Sequence, residues 1–261
     1  MPRHLNTAFA APWDLAPTPG GDDNPLVRRL EGFAPLSQAD RTLLLSHCAN
    51  ARSYPAQTDL ARDREEPDGI LVVLEGFACW HQYRQTGARQ ITAYLVPGDL
   101  CEWDTALIGR TDHAVSTISP CRIARISREA LRNSYGAQTG LAKALRMSSL
   151  VYEATLREWV VNVGCRTALE RIAHLFCELH VRLDAVGLAS GLGFDLPLTQ
   201  GDLAVTVGLS NVHVNRSLQA LRRDRFIDLR GRRLTILDWA GLSNLAEFNP
   251  GYLRLGRAGE R

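Results

Sequence analysis

Hydrophobic positions recur at two different spacings along the chain, and the change of spacing separates a strand-rich part from a helical part. From residue 51 to residue 126, short apolar runs such as Ile70–Leu74 alternate with Gly and Pro turns such as Pro97-Gly98-Asp99. Apolar and β-branched runs between turn residues are typical of strands. We therefore predict an antiparallel barrel or jelly roll, preceded by two helices between residues 24 and 51.

A long helical pattern follows the predicted strands, from about Thr139 to Asn162. Its apolar stripe has spacings of three and four and consists of Leu145, Ser149, Tyr152, Leu156, Trp159 and Val163. Such a stripe between two domains fits the seam of a two-fold dimer, and the alternative is packing against the chain's own roll. We favour the dimer seam and expect Gly164 to end the helix, with another helix over Thr167–Leu183.

Residues 199–223 predict two short helices separated by a tight turn. Thr199 can cap the first helix with its hydroxyl, and Asp202 places a carboxylate near the free N–H groups. Gly208 permits the left-handed conformation that ends this helix, and Ser210 can cap the second. A tight turn between two such helices is typical of a helix-turn-helix.

The second of these helices has an apolar face, and its outward positions include Asn211, His213, Asn215 and Arg216. Two short strands around Gly231 follow, and this hairpin with a basic tip completes a winged helix. From Ser210 to Arg233, seven arginines stand against two aspartates, a local net charge of +5 in a chain of net charge +2. Arg and Asn can form paired hydrogen bonds with guanine and adenine, and the positive charge suits phosphates. The pattern predicts a DNA-binding surface, with an ordinary basic helical hairpin as the alternative.

Composition limits the remaining possibilities. A length of 261 residues favours two domains, and the first 24 residues are a Pro-, Gly- and Ala-rich stretch that we interpret as a flexible leader. The six cysteines form no C-x-x-C pair, which favours reduced, mainly buried thiols in a cytosolic protein. No apolar run approaches the length of a membrane span, so we expect no membrane partner.

The chain resembles the Crp/Fnr family of bacterial transcription regulators from about residue 25 onward. The motifs that carry the resemblance are Ala168-x-Glu170-Arg171-Ile172-Ala173, Leu198-Thr199-Gln200-x-Asp202-Leu203-Ala204, Gly208-Leu209-Ser210-x-Val212-x-Val214-x-Arg216-x-Leu218 and Pro97-Gly98-Asp99-Leu100. The resemblance implies an α+β fold: an N-terminal antiparallel, jelly-roll-like β-roll of the cyclic-nucleotide-binding type, a long dimerisation helix and a C-terminal winged helix-turn-helix. The expected bounds are 1–24 for the leader, 25–138 for the roll, 139–165 for the helix, 166–245 for the winged helix-turn-helix and 246–261 for a tail.

The resemblance also implies which residues meet DNA. Arg216 matches the recognition-helix Arg that contacts a base, while Thr199 and Ser210 match positions at helix starts that touch phosphates. Val212 departs from the Glu often found there, so a cytosine-directed contact is lost. The predicted DNA-binding set is Thr199, Gln200, Ser210, Asn211, Val212, His213, Asn215, Arg216 and Arg232. The predicted dimer seam consists of Leu145, Tyr152, Leu156, Trp159 and Val163.

The effector site departs from the family's best-known pattern. Members that bind cyclic AMP carry an Arg-Ser or Arg-Thr pair, whereas this chain has Thr111-Asp112-His113-Ala114-Val115, and burying a phosphate beside Asp112 would be costly. The oxygen-sensing branch holds an iron–sulfur cluster through grouped N-terminal cysteines, which the leader lacks. We therefore expect neither cyclic AMP nor an iron–sulfur cluster.

The effector and any cofactor stay unknown at this stage. Heme bound through His81, His113 or another residue remains an alternative, although single histidines are more often packed or surface residues than ligands. Glu102 and Trp103 are candidates for lining a vestigial pocket, with a structural role preferred. We predict no metal site.

Together these observations predict a cytoplasmic, homodimeric transcription regulator that binds double-stranded DNA at a palindromic operator through a recognition helix near residues 210–222. RNA polymerase would be a further partner of an activator. The alternative is a small-molecule or heme-dependent sensor whose winged helix mediates protein contacts. We predict that the chain is not an enzyme, because it has no Gly-rich phosphate loop and no G-x-S-x-G motif.

Overall fold

Two short helices open the part of the chain that the structure describes. The structure is a computed structural model, and it describes residues 23–66, 69–101, 109–127, 129 and 139–255. Helix α1 (Pro25–Glu31) begins at Asn24, whose side-chain oxygen accepts the N–H groups of the first turn, and α2 (Gln38–Cys48) begins with a capping box. Capping satisfies donors that have no partner within a helix. The two helices predicted before the strands are confirmed.

Eight antiparallel strands form the roll, as the apolar runs predicted. The strands are β1 (Arg52–Tyr54), β2 (Asp59–Ala61), β3 (Ile70–Glu75), β4 (Ala78–Tyr83), β5 (Arg89–Leu95), β6 (Leu100–Cys101), β7 (Ala114–Thr117) and β8 (Cys121–Ile126). They make two four-stranded sheets, with strand orders β1-β8-β3-β6 and β2-β7-β4-β5. The turn between β3 and β4 requires Gly76, which has φ +79° and whose added Cβ would lie 2.1 Å from a backbone oxygen.

The interior of the roll is filled by large side chains. Leu71, Val73, Trp80, Val115 and Ile123 are all buried there and pack together. Alternate residues of a strand face opposite sides of its sheet, so these positions place apolar groups between the two sheets.

Helix α3 (Gly140–Cys165) is 26 residues long and begins at Thr139, whose hydroxyl accepts the N–H of Ala142. The helix was predicted, but the end expected at Gly164 does not occur: Gly164 lies within the helix, which continues to Cys165. An isolated Gly costs a helix only about 1 kcal/mol relative to Ala, so it does not force an end.

The C-terminal part is a winged helix. Its elements are α4 (Ala168–Asp184), β9 (Gly193–Asp195), α5 (Gln200–Val207), α6 (Asn211–Arg223), β10 (Ile227–Arg230), β11 (Arg233–Ile236), α7 (Trp239–Leu245) and a 3-10 turn (Pro250–Leu253). The strands form one antiparallel sheet in the order β10-β11-β9. Strand β9 ends at Asp195, two residues before Pro197, which has no N–H to donate to a neighbouring strand.

The winged helix packs directly on the roll. Phe77, Ile91 and Tyr94 of the roll belong to the same buried cluster as the core of the winged helix. The Tyr94 hydroxyl lies 2.6 Å from Thr206 Oγ1 of α5, and Gln90 Nε2 donates to the Thr206 carbonyl at 2.9 Å. Helix α5 is therefore fixed against strand β5.

A buried cluster of charges reinforces this junction. Arg182 of α4 pairs with Asp99 of the roll at 2.5 Å and with Glu178 at 3.0 Å. The second oxygen of Glu178 accepts from Trp159 Nε1 of α3 at 3.0 Å and from the Tyr252 hydroxyl at 2.9 Å. Burial raises the pKa of Glu178, against the influence of Arg182. The cluster joins the roll, α3, α4 and the C-terminal segment at one point.

Among the residues that the structure describes, no helix combines the length and the apolar character that crossing a membrane requires.

Candidate nucleic-acid interface

Local sequence fixes both ends of α5, the first helix of the helix-turn-helix. Thr199 Oγ1 accepts the Asp202 N–H at 3.1 Å, and the Asp202 carboxylate accepts the Thr199 N–H at 2.9 Å. This is the predicted capping box. Gly208 follows with φ +66°, a left-handed conformation that favours Gly. The predicted cap, stop and turn are therefore confirmed.

Helix α6 presents one face to the core and the other to solvent. Val214, Leu218 and Leu221 are buried in the winged-helix core. The solvent face begins at the Ser210 cap, whose Oγ accepts the His213 N–H at 3.4 Å. The exposed positions of its first turns are Asn211, Val212, His213 and Arg216. The structure thus brings the predicted recognition residues together on one accessible face.

Two of the predicted residues support each other. Asn215 is half-buried, and its Nδ2 donates to Oε1 of the exposed Gln200 at 3.4 Å. This contact joins the recognition helix to the first turn of α5. The Asn215 carboxamide thus has one hydrogen-bond partner within the predicted DNA-binding set.

The arginines of the basic region differ in how they are engaged. Arg222 donates to the Leu229 carbonyl at 2.9 Å, and Arg223 pairs with Asp224 at 2.9 Å. Two further pairs join Arg230 to Asp228 and Arg233 to Asp195. Among the arginines of residues 210–233, a stretch that the structure describes completely, the exposed guanidinium groups without a partner are those of Arg216, Arg225 and Arg232.

Arg225 was not among the predicted site residues. It follows α6 directly and has φ +59°, an uncommon conformation for a residue other than Gly. The sequence analysis included Arg225 in the net charge of the basic region. A count of charges cannot show which arginines form ion pairs with carboxylates of the same chain. Its exposed, unpaired guanidinium makes it an additional candidate for a phosphate contact.

The wing is the predicted hairpin. Strands β10 and β11 pair from Ile227 with Ile236 to Arg230 with Arg233, which leaves a two-residue turn of Gly231 and Arg232. Gly231 has φ +59°. The turn therefore carries the exposed Arg232 at the tip of the wing.

The predicted dimer seam needs correction, because α3 turns much of that stripe toward its own chain. Leu145 is fully buried in the core beneath α1, so its assignment to a seam is wrong. Tyr152 packs edge-on against Trp80 with ring centroids 4.2 Å apart, and Trp159 is bonded to Glu178. Leu156 is half-buried, and Val163 is exposed.

A different apolar face of α3 is open to solvent. Leu150 and Val161 are 53% and 46% exposed, and Met147 and Ala154 lie half-exposed at helical spacing beside them. The spacing of apolar residues does not say which of two apolar faces meets the chain's own core. The face formed by Met147, Leu150, Ala154 and Val161 is called the outer face below.

Around the predicted effector site, the residues that the structure describes pack against one another. The Trp80 ring contacts the His113 ring with centroids 4.5 Å apart, and Trp80 Nε1 donates to Cys101 Sγ at 2.7 Å. Asp112 pairs with His113 Nδ1 at 2.6 Å. The cavity left between the roll and α3 has a volume of about 60 Å³. Ligand pockets usually measure about 300–1,000 Å³.

The structure describes the two histidines named as candidate heme ligands but not the two candidate pocket residues. His81 is buried, and its burial, with the nearby Arg89 charge, lowers its pKa to about 4. Glu102 and Trp103 lie outside the described residues. Among the residues that are described, no group of three or more His, Cys, Asp or Glu side chains could hold a metal ion.

Comparison with known protein families assigns both halves of the chain. Residues 51–136 match the model of the cyclic nucleotide-binding domain, and residues 170–245 match that of the Crp-like helix-turn-helix domain. The two matched ranges coincide with the roll and with the winged helix, and α3 lies between them.

Individual relatives match about three quarters of the chain. The chain is 26% identical to the nitrogen fixation regulation protein FixK of Azorhizobium caulinodans over 193 residues, which cover 74% of this chain and 77% of FixK. It is 29% identical to the transcriptional activator protein FnrL of Cereibacter sphaeroides over 200 residues, covering 73% and 78% of the two chains. The solved structure of FixK2 from Bradyrhizobium japonicum shares the fold, with a TM-score of 0.67, 23% identity and coverage of 75% of this chain and 96% of that one. The chain therefore belongs to the Crp/Fnr family of transcription regulators, with a cyclic-nucleotide-binding-like roll and a Crp-type winged helix-turn-helix.

Proposed function

We propose that the protein is a homodimeric regulator that binds a palindromic DNA operator, with α6 of each subunit in a major groove. The observation that carries the proposal is the solvent face of α6, where Asn211 and Arg216 are exposed on a helix whose opposite side is buried. Arg216 can donate two hydrogen bonds to guanine, and Asn211 and Asn215 can pair with adenine. Arg225 and Arg232 supply unpaired charge for the phosphates on either side.

The dimer forms through the outer face of α3. Leu150 and Val161 lie about three turns apart on α3 and are 53% and 46% exposed. Exposed aliphatic groups on one face of a long helix suit a helix-to-helix contact. A two-fold dimer presents two recognition helices to half-sites about one helical turn of DNA apart. This arrangement replaces the seam predicted from the sequence stripe.

Cyclic AMP does not control the protein in this proposal. The space between the roll and α3 holds the rings of Trp80, His113 and Tyr152, and the remaining cavity of about 60 Å³ is smaller than a nucleotide requires. In sequence, Thr111-Asp112 stands where members that bind cyclic AMP carry an Arg-Ser or Arg-Thr pair, so the cation for a cyclic phosphate is missing at this place. In this proposal, the match to the cyclic nucleotide-binding domain reflects the fold of the roll and not the binding of cyclic AMP. A regulator that binds bacterial DNA works in the cytoplasm, so we place the protein there.

The test is a selection of random duplexes by the purified full-length protein without added ligand. We expect enrichment of a palindromic consensus whose half-sites are about one helical turn apart. Sedimentation of the protein on the enriched duplex should give two subunits per duplex. Failure to enrich any sequence at low salt, or a consensus without two-fold symmetry, would contradict the proposed function.

A further inference from the structure

Val212 is an apolar residue in the middle of an otherwise polar surface. Within α6, which the structure describes completely, it is the one large hydrophobic side chain that is mostly exposed, with an exposed fraction of 59%. It lies in the first turn, beside Asn211 and one turn before Arg216. The other large aliphatic residues of the helix, Val214, Leu218 and Leu221, are buried.

The fold gives Val212 no stabilising role of its own. Its side chain belongs to none of the buried hydrophobic clusters and to none of the groups packed at their edges. A β-branched residue is also a slightly poorer helix former than most polar residues that could stand at this exposed position. The position of Val212 on the recognition face is therefore better explained by contact with DNA than by packing.

The major groove offers one apolar group on its base edges, the C5 methyl of thymine. The other features at the edges are hydrogen-bond donors and acceptors, and covering such a group without a partner is costly. Two methyl groups on a rigid side chain can cover the thymine methyl and gain the free energy of removing both from water. They also disfavour cytosine at that place, because its amino group would lose water without gaining an acceptor.

The spacing along α6 predicts where this thymine lies. Val212 and Arg216 are four residues apart on one face, a rise of about 6 Å along the helix axis. Successive base pairs are about 3.4 Å apart, so this rise covers about two base-pair steps. The two side chains therefore reach base pairs that are neighbours or next neighbours.

We propose that Val212 is a specificity-determining residue that recognises the methyl group of a thymine within about two base pairs of the guanine bound by Arg216. The proposal rests on the proposed function, because it requires α6 to lie in a major groove. It adds a base preference that the polar residues of the face do not supply.

The experiment uses the full-length protein and the duplex enriched by the selection described above. Each thymine of the half-site is replaced in turn by uracil, which lacks only the methyl group, and affinities are measured by fluorescence anisotropy at constant salt. Loss of one methyl contact should weaken binding about fourfold per half-site (about 0.8 kcal/mol). We expect this loss at one thymine, within about two base pairs of the guanine whose contact is removed by Arg216→Ala.

Val212→Ala supplies the second half of a double-mutant cycle. The variant should bind the thymine and uracil duplexes equally well, because the contact has already been lost. Uracil at the other thymines serves as the matched control and should affect both proteins alike. Circular dichroism and thermal unfolding should be unchanged in the variant, since the side chain is mostly exposed.

The outcomes separate this inference from the function on which it rests. A consensus without a thymine at that place, or a uracil effect of equal size in the wild type and Val212→Ala, overturns the role of Val212 and leaves the proposed function intact. Failure to enrich any duplex overturns both. A uracil effect that disappears in Val212→Ala supports the inference.

Discussion

Replacing Arg182 by Met should test whether the buried charge cluster holds the winged helix on the roll. The Arg182 guanidinium pairs with Asp99 at 2.5 Å and with Glu178 at 3.0 Å, and it also donates to the Tyr94 carbonyl at 2.8 Å. Met preserves most of the aliphatic volume but removes the charge and all three hydrogen bonds. Asp99 would keep only the longer contact to Arg29, at 3.4 Å, among its ion pairs in the described chain.

The expected loss is large because the Glu178 carboxylate stays buried and the Asp99 side chain is only 15% exposed. Glu178 is 1% exposed, so water cannot replace the missing partner. Removing one member of a buried ion pair typically costs about 3–5 kcal/mol, since it leaves an uncompensated charge. We expect Arg182→Met to lower the free energy of unfolding by about that amount near pH 7.

The loss in free energy of unfolding caused by Arg182→Met should become smaller at lower pH. Burial already raises the pKa of Glu178, and without Arg182 its pKa rises further. A carboxyl group with a higher pKa in the folded protein than in the unfolded chain destabilises the fold increasingly as pH rises from the unfolded pKa to the folded pKa, and most above both. The deficit of the variant should therefore shrink as pH falls from about 7 toward 5.

Urea unfolding followed by tryptophan fluorescence and circular dichroism measures the effect. Arg223→Met is the matched control, because Arg223 pairs with Asp224 on the surface and such pairs contribute little. Equal losses in the two variants would refute the reasoning, as would a deficit in Arg182→Met that does not change between about pH 7 and pH 5.

Three further predictions concern DNA and the dimer. Arg216→Ala should weaken binding to the selected operator by about 1–3 kcal/mol and relax one base position; an equal loss on all duplexes would contradict base recognition. Arg232→Ala should weaken binding to any duplex and reduce the slope of log affinity against log salt by about one, and an unchanged slope would argue against a wing contact. Leu150→Asp should shift sedimentation from dimer toward monomer, because a carboxylate would be buried in the outer face. Tyr83→Asp, on the exposed roll surface, is its control; a dimer unaffected by Leu150→Asp would place the subunit contact elsewhere.

Most helices and strands could be predicted from the sequence because the residues that start, stop and pattern them lie within a few positions of one another. The Thr199 and Asp202 capping box and the Gly208 stop involve residues only a few positions apart, and the structure has them as predicted. The strands of the roll likewise follow apolar runs between turn residues. The end expected at Gly164 does not occur, because this Gly weakens α3 without terminating it.

The candidate site was predictable to a smaller extent. Helical periodicity placed Val214 inside and Arg216 outside, as the structure has them. It did not separate Arg225, which is unpaired, from Arg223, which is paired with Asp224. The partner of a long, flexible side chain depends on the final positions of several elements, so charge counting alone does not identify it.

The sequence by itself determined the order of the roll, the long helix and the winged helix, because hydrophobic period, capping and turn residues act over a few positions. The tertiary structure decided which face of α3 is exposed, since both faces carry apolar residues and only packing against the roll distinguishes them. It also decided the partner of Asp99, which lies 83 positions from Arg182. Contacts over such separations depend on how the domains pack, and no local pattern encodes them.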